Sequence, residues 1–416
     1  MTIEKIVKKI SLLHSVSTET PTSFNLAREI VNYISIDWSN PDLKILDPGC
    51  GRGTFLLAVL EKLEQYHNRE HIVKNMLYGC DISKVQYSIA MKALKMASGV
   101  ETNISNSDAL TKAWNMKFDV VLGNPPYEAA SEDGRKDQAN NLWSKFVDKG
   151  ISLVKDGGYF TFIIPTSWLS PAADIGKGKH GTRFFEAYFQ KYKTHVLNVN
   201  ECARHFNVGS TFSYFVLEKT VSNNFNTRVI TEEDDFIIDL KTISYLPKSM
   251  NPLSIAINKK ILEHSDKFGI VGNNLPETRI EMKKDKDEVF SVPCYNTPAK
   301  GGTYWFSEAP VATATKSKVI ISISGNYVPV YDLGGMSFTG MCIIYYLKDT
   351  DNMDSIRSYL ESKLIKFVLN ENKYTGWVSP VISNLPNIDK TRIWTDQDLY
   401  THFKLTQEEV DYIDAR

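Results

Sequence analysis

The feature that most limits the fold is a regular alternation of strand-like and helix-like segments in the first half of the chain. Strand-like runs rich in aliphatic and β-branched residues occupy 43–46, 75–79, 118–122 and 159–164. Segments with the apolar spacing of helices lie between them, at 55–65, 84–97 and 142–154. Strands that alternate with helices form βαβ units, which bury a parallel sheet between layers of helix. The sequence therefore predicts an α/β domain.

A second domain is predicted after residue 225. The run 210–217 is typical of a late strand of the same sheet, and the polar, turn-rich stretch 222–227 follows it as a linker. Beyond the linker, shorter strand-like pieces at 319–323 and 341–347 are separated by glycine and proline, and a helical segment spans 354–369. We expect an α/β domain over residues 1–225 and a mixed α+β domain over residues 226–416.

Composition restricts the class of protein without identifying it. The chain has 416 residues, and 48 Lys and Arg against 49 Asp and Glu leave a net charge of −1, so any nucleic-acid surface must be local. No apolar run reaches the roughly 18 residues of a membrane span, and the first residues lack a secretory signal. The five cysteines form no C-x-x-C pair, which argues against a zinc site or a disulfide framework. We expect a cytoplasmic protein without a membrane segment or a metal.

A glycine-rich turn follows the first strand-like run and opens a helix, with the sequence Asp47-Pro48-Gly49-Cys50-Gly51-Arg52-Gly53. Glycines at such a turn let a ligand approach the backbone closely. The G-x-G-x-G spacing differs from the G-x-G-x-x-G of pyrophosphate binders. Because Asp47 ends the strand, its carboxylate can attract a cationic ligand or accept a hydrogen bond from one. The turn predicts a small-molecule site.

Two further aspartates follow the next strand-like segments. Asp81 ends the run 77–81 and could accept both hydroxyls of a ribose, and Asp108 ends the next βα unit and could accept an exocyclic amine. Each aspartate alone is more typical of a helix cap. Carboxylates on successive strand ends, without a phosphate-binding lysine, favour a site for a nucleoside that carries an amino acid.

The sequence Asn124-Pro125-Pro126-Tyr127 follows the strand-like run 118–122. The prolines restrict the backbone, so a side-chain amide oxygen and a neighbouring carbonyl are held in fixed directions. An aromatic amine is a poor nucleophile because its lone pair is delocalised into the ring. Two acceptors for its N–H groups favour tetrahedral nitrogen and make the lone pair available for attack, and Tyr127 offers a flat face on which a base can stack. The alternative is a loop with an Asx-Pro turn.

The glycine turn and the Asn-Pro-Pro-Tyr sequence resemble motifs I and IV of S-adenosylmethionine-dependent DNA N6-adenine methyltransferases. The order of motifs is similar to that of the γ class, to which Eco57I-like type II modification methylases belong, and Glu19-Thr20-Pro21 resembles motif X. The resemblance implies a Rossmann-like methyltransferase domain, followed by a target-recognition domain. It also implies that S-adenosylmethionine is held by Thr20, Asp47, Pro48, Gly49, Cys50, Gly51, Asp81, Ile82, Asp108, Ala109 and Asn124.

The same resemblance assigns the residues that would handle the target base. Asn124 and Pro125 would activate the amine of an adenine flipped out of DNA, next to Pro126 and Tyr127. Phe206 matches the second aromatic position, which stacks on the other face of the base. Stacking contributes roughly 1–3 kcal/mol per base, comparable to the few kcal/mol needed to extrude one. Stacking on both rings could together offset the free-energy cost of flipping the base.

The resemblance implies double-stranded DNA as substrate, a monomeric enzyme and a possible partner restriction endonuclease. The domain 226–416 would read base edges in the major groove, with candidate contacts at Arg279, Trp305, Lys316 and Lys318. The polar stretch 128–141 would order on DNA. We expect site-specific methylation of adenine N6.

Other functions use related residues. RNA base methyltransferases and protein glutamine methyltransferases also methylate a weakly nucleophilic nitrogen and use related residues. A DNA-binding module without catalysis is a further alternative. Cytosine-C5 methylation would need a cysteine nucleophile, and Pro293-Cys294 lies far from the strand-end series. A chain that binds the cofactor but transfers no methyl group would be the DNA-binding module.

Overall fold

A computed structural model describes residues 1–13, 21–127, 142–169, 184–206, 211–221, 225–243, 247–270, 275–323, 326–372 and 379–416. The chain forms two compact units. The main part of the first unit ends at Thr242, and the main part of the second begins at Ile243. No helix of the described residues is both long and apolar enough to cross a membrane.

The first unit is an α/β domain whose helices flank one large sheet. Its helices are α1 Ile3–Ser11, α2 Phe24–Asn32, α3 Thr54–Leu63, α4 Arg69–His71, α5 Lys84–Ser98 and α6 Leu142–Leu153. Its strands are β1 Ile45–Asp47, β2 Leu77–Asp81, β3 Asn103–Asn106, β4 Phe118–Gly123, β5 Val154–Pro165, β6 Tyr192–Val199, β7 Phe212–Val221, β8 Asn226–Ile230 and β9 Asp235–Asp239.

The sheet has the strand order β3-β2-β1-β4-β5-β7-β6-β8-β9. Neighbouring strands from β3 to β5 are parallel, whereas β7 is antiparallel to both β5 and β6. The order reverses between β1 and β4, because β2 and β3 continue to one side and β5 to the other. In open α/β sheets, ligands bind beyond the carboxyl ends of the strands at such a switch point.

The pattern of buried residues explains why these segments form the sheet. Ile45 and Leu46 of β1 and Val120, Val121 and Leu122 of β4 are fully buried, as expected for strands covered by helices on both faces. The predicted strands at 43–46, 75–79, 118–122, 159–164 and 210–217 correspond to β1, β2, β4, β5 and β7. The α/β fold class predicted from the sequence is therefore confirmed.

The first unit extends beyond the predicted boundary at residue 225. Strand β8 pairs in parallel with β6, and β9 pairs antiparallel with β8, so both strands continue the large sheet. Thr227 is buried, and its hydroxyl donates to the carbonyl of Thr194 at 2.8 Å. The boundary at 225/226 is therefore wrong, because residues 226–239 complete a sheet edge rather than start a new core.

The second unit is α+β, as predicted. Its helices are α7 Pro252–Leu262, α8 Met353–Leu360, α9 Lys363–Glu371, α10 Ser379–Ile382, α11 Asp396–His402 and α12 Gln407–Asp414. Its strands are β10 Val292–Thr297, β11 Thr303–Ser307, β12 Lys318–Ser322, β13 Val330–Asp332, β14 Ser337–Phe338 and β15 Cys342–Tyr346. They form two sheets with the orders β11-β10-β14 and β13-β12-β15.

Two residues of the second unit cannot have the roles that their sequence context allowed. The side chain of Lys318, a candidate DNA contact, is fully buried and donates to Asp332 Oδ2 at 2.5 Å, so Lys318 is wrong as a contact. Cys294 is also fully buried, and its Sγ lies 3.3 Å from Ser307 Oγ. Burial raises the pKa of the Cys294 thiol, which opposes formation of a nucleophilic thiolate.

Candidate active site

The glycine turn and the Asn-Pro-Pro-Tyr sequence meet at the switch point of the large sheet. The turn follows β1 and the prolines follow β4, and these two strands are hydrogen-bonded neighbours. A Cβ atom added to Gly49 would lie 3.7 Å from Pro126 Cδ and 3.8 Å from Pro125 Cα, which is van der Waals contact. The two motifs, more than 70 residues apart in sequence, therefore form one site.

The conformation of the turn explains its glycines. Gly51 and Gly53 have φ angles of +51° and +82°, a region that favours glycine. Gly53 caps the N-terminus of α3, and its Cβ would lie 3.4 Å from Ala90 Cβ on α5. Around Gly51, and apart from its chain neighbours, no atom of the described residues lies within 4 Å of the added Cβ position. The backbone at Gly51 is therefore open to a ligand, whereas Gly53 permits close packing between helices.

Asp47 is buried at the end of β1, with 2% of its surface exposed. The Gly49 amide donates to its Oδ1 at 3.2 Å. Burial raises the pKa of Asp47 to about 8, and the nearby Asp81 contributes in the same direction. Because the charged carboxylate is disfavoured in this environment, a cationic group placed beside it would be strongly stabilising. This suits the amino group of an amino acid.

Asp81, the last residue of β2, links the end of that strand to the turn that follows β1. Its Oδ2 accepts from the Gly51 amide at 2.9 Å, and its Oδ1 accepts from the Ser83 amide at 2.8 Å. Burial raises the pKa of Asp81, and these two hydrogen bonds oppose the effect. Each carboxylate oxygen has further lone pairs, so both can also accept from a diol. The next residue, Ile82, is 74% exposed and offers an apolar surface beside the carboxylate.

Asp108 follows β3 and is half-buried. Its Oδ1 accepts from the Leu110 amide at 2.9 Å, and the Thr111 hydroxyl donates to Oδ2 at 3.3 Å. Ala109 is buried. The Ser107 amide donates to the carbonyl of Asp81 at 3.1 Å, which places the turn at 107–110 next to the end of β2. Asp108 therefore caps a turn at the same edge of the sheet as Asp81.

Asn124 is held at both ends of its side-chain amide. Its Nδ2 donates to Thr22 Oγ1 at 3.1 Å, and its Oδ1 accepts from the Tyr127 hydroxyl at 2.5 Å. Burial raises the pKa of Tyr127, so this hydroxyl stays protonated and remains a donor. Pro125 is buried and Pro126 is exposed. The contact with Thr22 was not predicted, because the two residues are separated by 102 positions.

The two predicted stacking residues share one aromatic neighbour. Phe206 follows a short 3-10 helix, Glu201–His205, and is 8% exposed. The ring centroid of Phe212 lies 4.8 Å from that of Phe206 and 5.4 Å from that of Tyr127. Tyr127 and Phe206 are therefore on the same aromatic cluster, and Phe212 connects them. Phe212 lies in the predicted strand 210–217, but nothing in its local sequence distinguished it from a core residue.

Part of the predicted site lies outside the described residues. This applies to Thr20, together with Glu19 of the same motif, and to the stretch 128–141. Of the predicted site residues that the structure describes, those of the glycine turn, the two aspartates and the Asn-Pro-Pro-Tyr sequence lie along one edge of the sheet.

Comparison with protein families and curated proteins finds similarity over part of the chain. Residues 54–193 match the family described as Eco57I restriction-modification methylase. The chain is similar to the type II restriction enzyme and methyltransferase RM.BcgI of Heyndrickxia coagulans, with 27% identity over 145 residues, 33% of this chain and 21% of that protein. It is 30% identical over 142 residues to the type I restriction enzyme MjaIX methylase subunit of Methanocaldococcus jannaschii, covering 33% of this chain and 24% of that protein. The chain matches less than a quarter of the length of either relative.

Solved structures show a similar fold over most of the chain. A nuclease-deletion mutant of the type ISP restriction-modification enzyme LlaGI, in complex with a DNA substrate mimic, has a TM-score of 0.56 and 12% identity, and covers 98% of this chain and 56% of that chain. The DrdV–DNA complex has a TM-score of 0.50 and 12% identity, covering 88% of this chain and 55% of that chain. At this identity the likeness concerns the fold alone.

Proposed function

Because residues 54–193 match the family described as Eco57I restriction-modification methylase, we propose that this chain uses S-adenosylmethionine to methylate N6 of an adenine flipped out of double-stranded DNA. The observation that carries the proposal is the contact distance between Gly49 and the Pro125–Pro126 turn. It means that a donor bound along the glycine turn and an amine bound by Asn124 would be neighbours.

The residues of the glycine turn fit S-adenosylmethionine. Asp47, buried and with a raised pKa, suits the positively charged amino group of the methionine part. The open backbone at Gly51 gives room for the donor, and the two oxygens of Asp81 can accept the ribose hydroxyls. Ile82 and Asp108 would then contact the adenine part. When bound, the donor supplies an electrophilic methyl group on a sulfonium centre.

Asn124 and Pro125 activate the target amine in this proposal. The Asn124 Oδ1 has two lone pairs, so it can accept from Tyr127 and from an amine N–H at the same time. The Pro125 carbonyl accepts the second N–H. Nitrogen that donates both hydrogens to fixed acceptors has its lone pair available for attack. Proximity and orientation supply much of the rate, since the two substrates are held at one sheet edge.

Tyr127 and Phe206 hold the flipped base. Each stacking contact contributes roughly 1–3 kcal/mol, which together offset the few kcal/mol of extrusion. The rings of Tyr127 and Phe206 both lie beside Phe212, which supports a common aromatic surface for the base. A preformed surface loses less conformational entropy on binding than one that must be assembled.

The second unit would supply sequence recognition. Arg279 and Lys316 are exposed, and Lys284 Nζ lies 5.8 Å from the ring centroid of the half-buried Trp305. Cationic and aromatic side chains of this kind contact phosphates and base edges. We also propose that the chain acts in the cytoplasm as a monomer, alongside a partner restriction endonuclease.

The test is to express the full chain in cells that lack adenine methylation and to analyse the DNA by nucleoside mass spectrometry and modification-sensitive sequencing. The proposal predicts N6-methyladenine within one short sequence motif. Purified chain is assayed in parallel on RNA and on protein with labelled S-adenosylmethionine. Label that enters RNA or glutamine side chains but not DNA would contradict the proposal.

A further inference from the structure

Asn124 has a hydrogen-bond partner that lies outside its own motif. Thr22 precedes α2 and is half-buried, and its Oγ1 accepts from Asn124 Nδ2 at 3.1 Å. On the other side, Asn124 Oδ1 accepts from Tyr127 at 2.5 Å. The amide therefore has one partner on nitrogen and one on oxygen.

The direction of this amide decides what the site can bind. The side-chain amide of asparagine carries an acceptor oxygen and an NH2 group with two donors. A rotation of 180° about χ2 exchanges the positions of the oxygen and the nitrogen. If the amide turns over, Nδ2 would face the target amine and repel its N–H groups instead of accepting one. In the observed orientation the Thr22 hydroxyl accepts from Nδ2, and this hydrogen bond stabilises the amide with its nitrogen toward Thr22 and its oxygen toward Tyr127.

The backbone at Thr22 is itself fixed by its neighbour. Ser23 caps α2, and its side chain accepts from the Leu26 amide at 3.2 Å. The Ser23 hydroxyl also lies 3.3 Å from His205 Nδ1, directly before Phe206. The residue pair Thr22-Ser23 therefore contacts two parts of the proposed base site, Asn124 and the 3-10 helix that ends at His205, just before Phe206.

We propose that Thr22 is a positioning residue, which holds the Asn124 amide with its oxygen toward the target amine. The proposal rests on the proposed methyltransferase function. In this role Thr22 acts through Asn124 rather than on the donor or the base. Its contribution is one partly buried neutral hydrogen bond, so removing it changes the rate by a moderate factor rather than abolishing activity.

The experiment compares kcat and KM of the full chain with those of Thr22→Val and Thr22→Ser, on methylatable DNA with S-adenosylmethionine. Valine has nearly the same shape as threonine but cannot accept a hydrogen bond. Thr22→Val is expected to lower kcat roughly three- to tenfold, with the Kd for S-adenosylmethionine and the Tm within error of wild type. Thr22→Ser is expected to recover most of the lost rate.

A matched control is Thr220→Val. Thr220 is half-buried in the same unit, and its hydroxyl donates to another side chain, Glu218 Oε1, at 3.0 Å. Its removal should leave kcat unchanged. A second readout combines Thr22→Val with Tyr127→Phe, which frees both ends of the amide. The double variant should lose more rate than the product of the single losses.

A kcat for Thr22→Val within twofold of wild type would overturn the inference, as would a loss of rate that Thr22→Ser does not restore. Both results require a wild-type chain that methylates DNA. If wild type transfers no methyl group, the proposed function itself fails, and the two failures are therefore distinct.

Discussion

Gly123, the last residue of β4, lies so close to Asp47 that a Cβ atom there would be 2.6 Å from Asp47 Oδ1. Real Cβ atoms do not approach an oxygen that closely, so only glycine fits at this position. The residue before the Asn-Pro-Pro-Tyr sequence is thus in direct contact with the buried carboxylate of the glycine turn. The proposed donor site and the proposed amine site share this contact.

Replacing Gly123 by alanine should disturb the donor site. The added methyl group would push the Asp47 carboxylate away, and overpacking of this kind costs about 1–3 kcal/mol of stability. We expect Gly123→Ala to lower both the Tm and the affinity for S-adenosylmethionine, measured by thermal unfolding and equilibrium binding. Gly99→Ala is the control, because Gly99 also has a positive φ, +79°, but in the described part of the chain no atom beyond its neighbours lies within 4 Å of the added Cβ. It should lower the Tm without changing the Kd, and equal Kd values for both variants would contradict the account.

The stability of the ligand-free chain should fall as pH rises, through Asp47. Its folded-state pKa is raised to about 8 from an ordinary value of 3.8, so between these values the folded state binds more protons than the unfolded state. The free energy of unfolding therefore decreases with rising pH across this window, by up to about 1.4 kcal/mol per pH unit from this one group. Urea unfolding from pH 5 to pH 9 should show this decrease in wild type, and a weaker one in Asp47→Asn. Parallel curves for the two proteins would contradict it.

The ring of Tyr127 and its hydroxyl should have separable roles. Tyr127→Ala removes the stacking face, which contributes roughly 1–3 kcal/mol, so we expect about a 5- to 160-fold weaker capture of the flipped base. Tyr127→Phe keeps the ring and should capture the base nearly normally. The measurement is the fluorescence of 2-aminopurine placed at the target position, which rises when the base leaves the stack. Equal fluorescence with wild type and Tyr127→Ala would exclude stacking on this ring.

Alanine substitutions of Lys316 and Lys318 should have different effects on stability and DNA binding, although only one residue separates the two lysines. Lys318 is buried and paired with Asp332, and removing one partner of a buried ion pair costs about 3–5 kcal/mol. Lys318→Ala should therefore lower the free energy of unfolding in urea. Lys316 is exposed, so Lys316→Ala should leave stability unchanged and weaken DNA binding at low salt. A stable Lys318→Ala protein would show that the buried pair is not structural.

The central sheet was predictable because burial on both faces leaves a strong local signal. Runs such as 118–122 are apolar at almost every position, and in the structure they form β4 and the neighbouring strands. Strands β8 and β9 lack that signal, since β8 begins with three polar residues and β9 is bounded by aspartates. They are revealed by the pairing of β8 with β6 and of β9 with β8. In the second unit the predicted helix 354–369 is two helices, because the Ser362 side chain accepts from the Ile365 amide and starts α9.

The site was predictable only where a motif is contiguous. The glycine turn and the Asn-Pro-Pro-Tyr sequence each follow one strand, so their proximity follows from the strand order. The contact between Thr22 and Asn124 depends instead on how α2 packs against the sheet, and no local sequence pattern predicts that packing. Phe212 likewise has the appearance of a core residue in the sequence, and only the ring distances connect it to Tyr127 and Phe206.

The most direct test of the account is the rate of methyl transfer by Asn124→Ala, measured together with its affinity for S-adenosylmethionine. We expect kcat to fall at least about 100-fold, because an acceptor needed in the transition state is lost, while the chain stays folded and still binds the donor. An Asn124→Ala protein that methylates adenine at a near-normal rate, with donor binding unchanged, would contradict it.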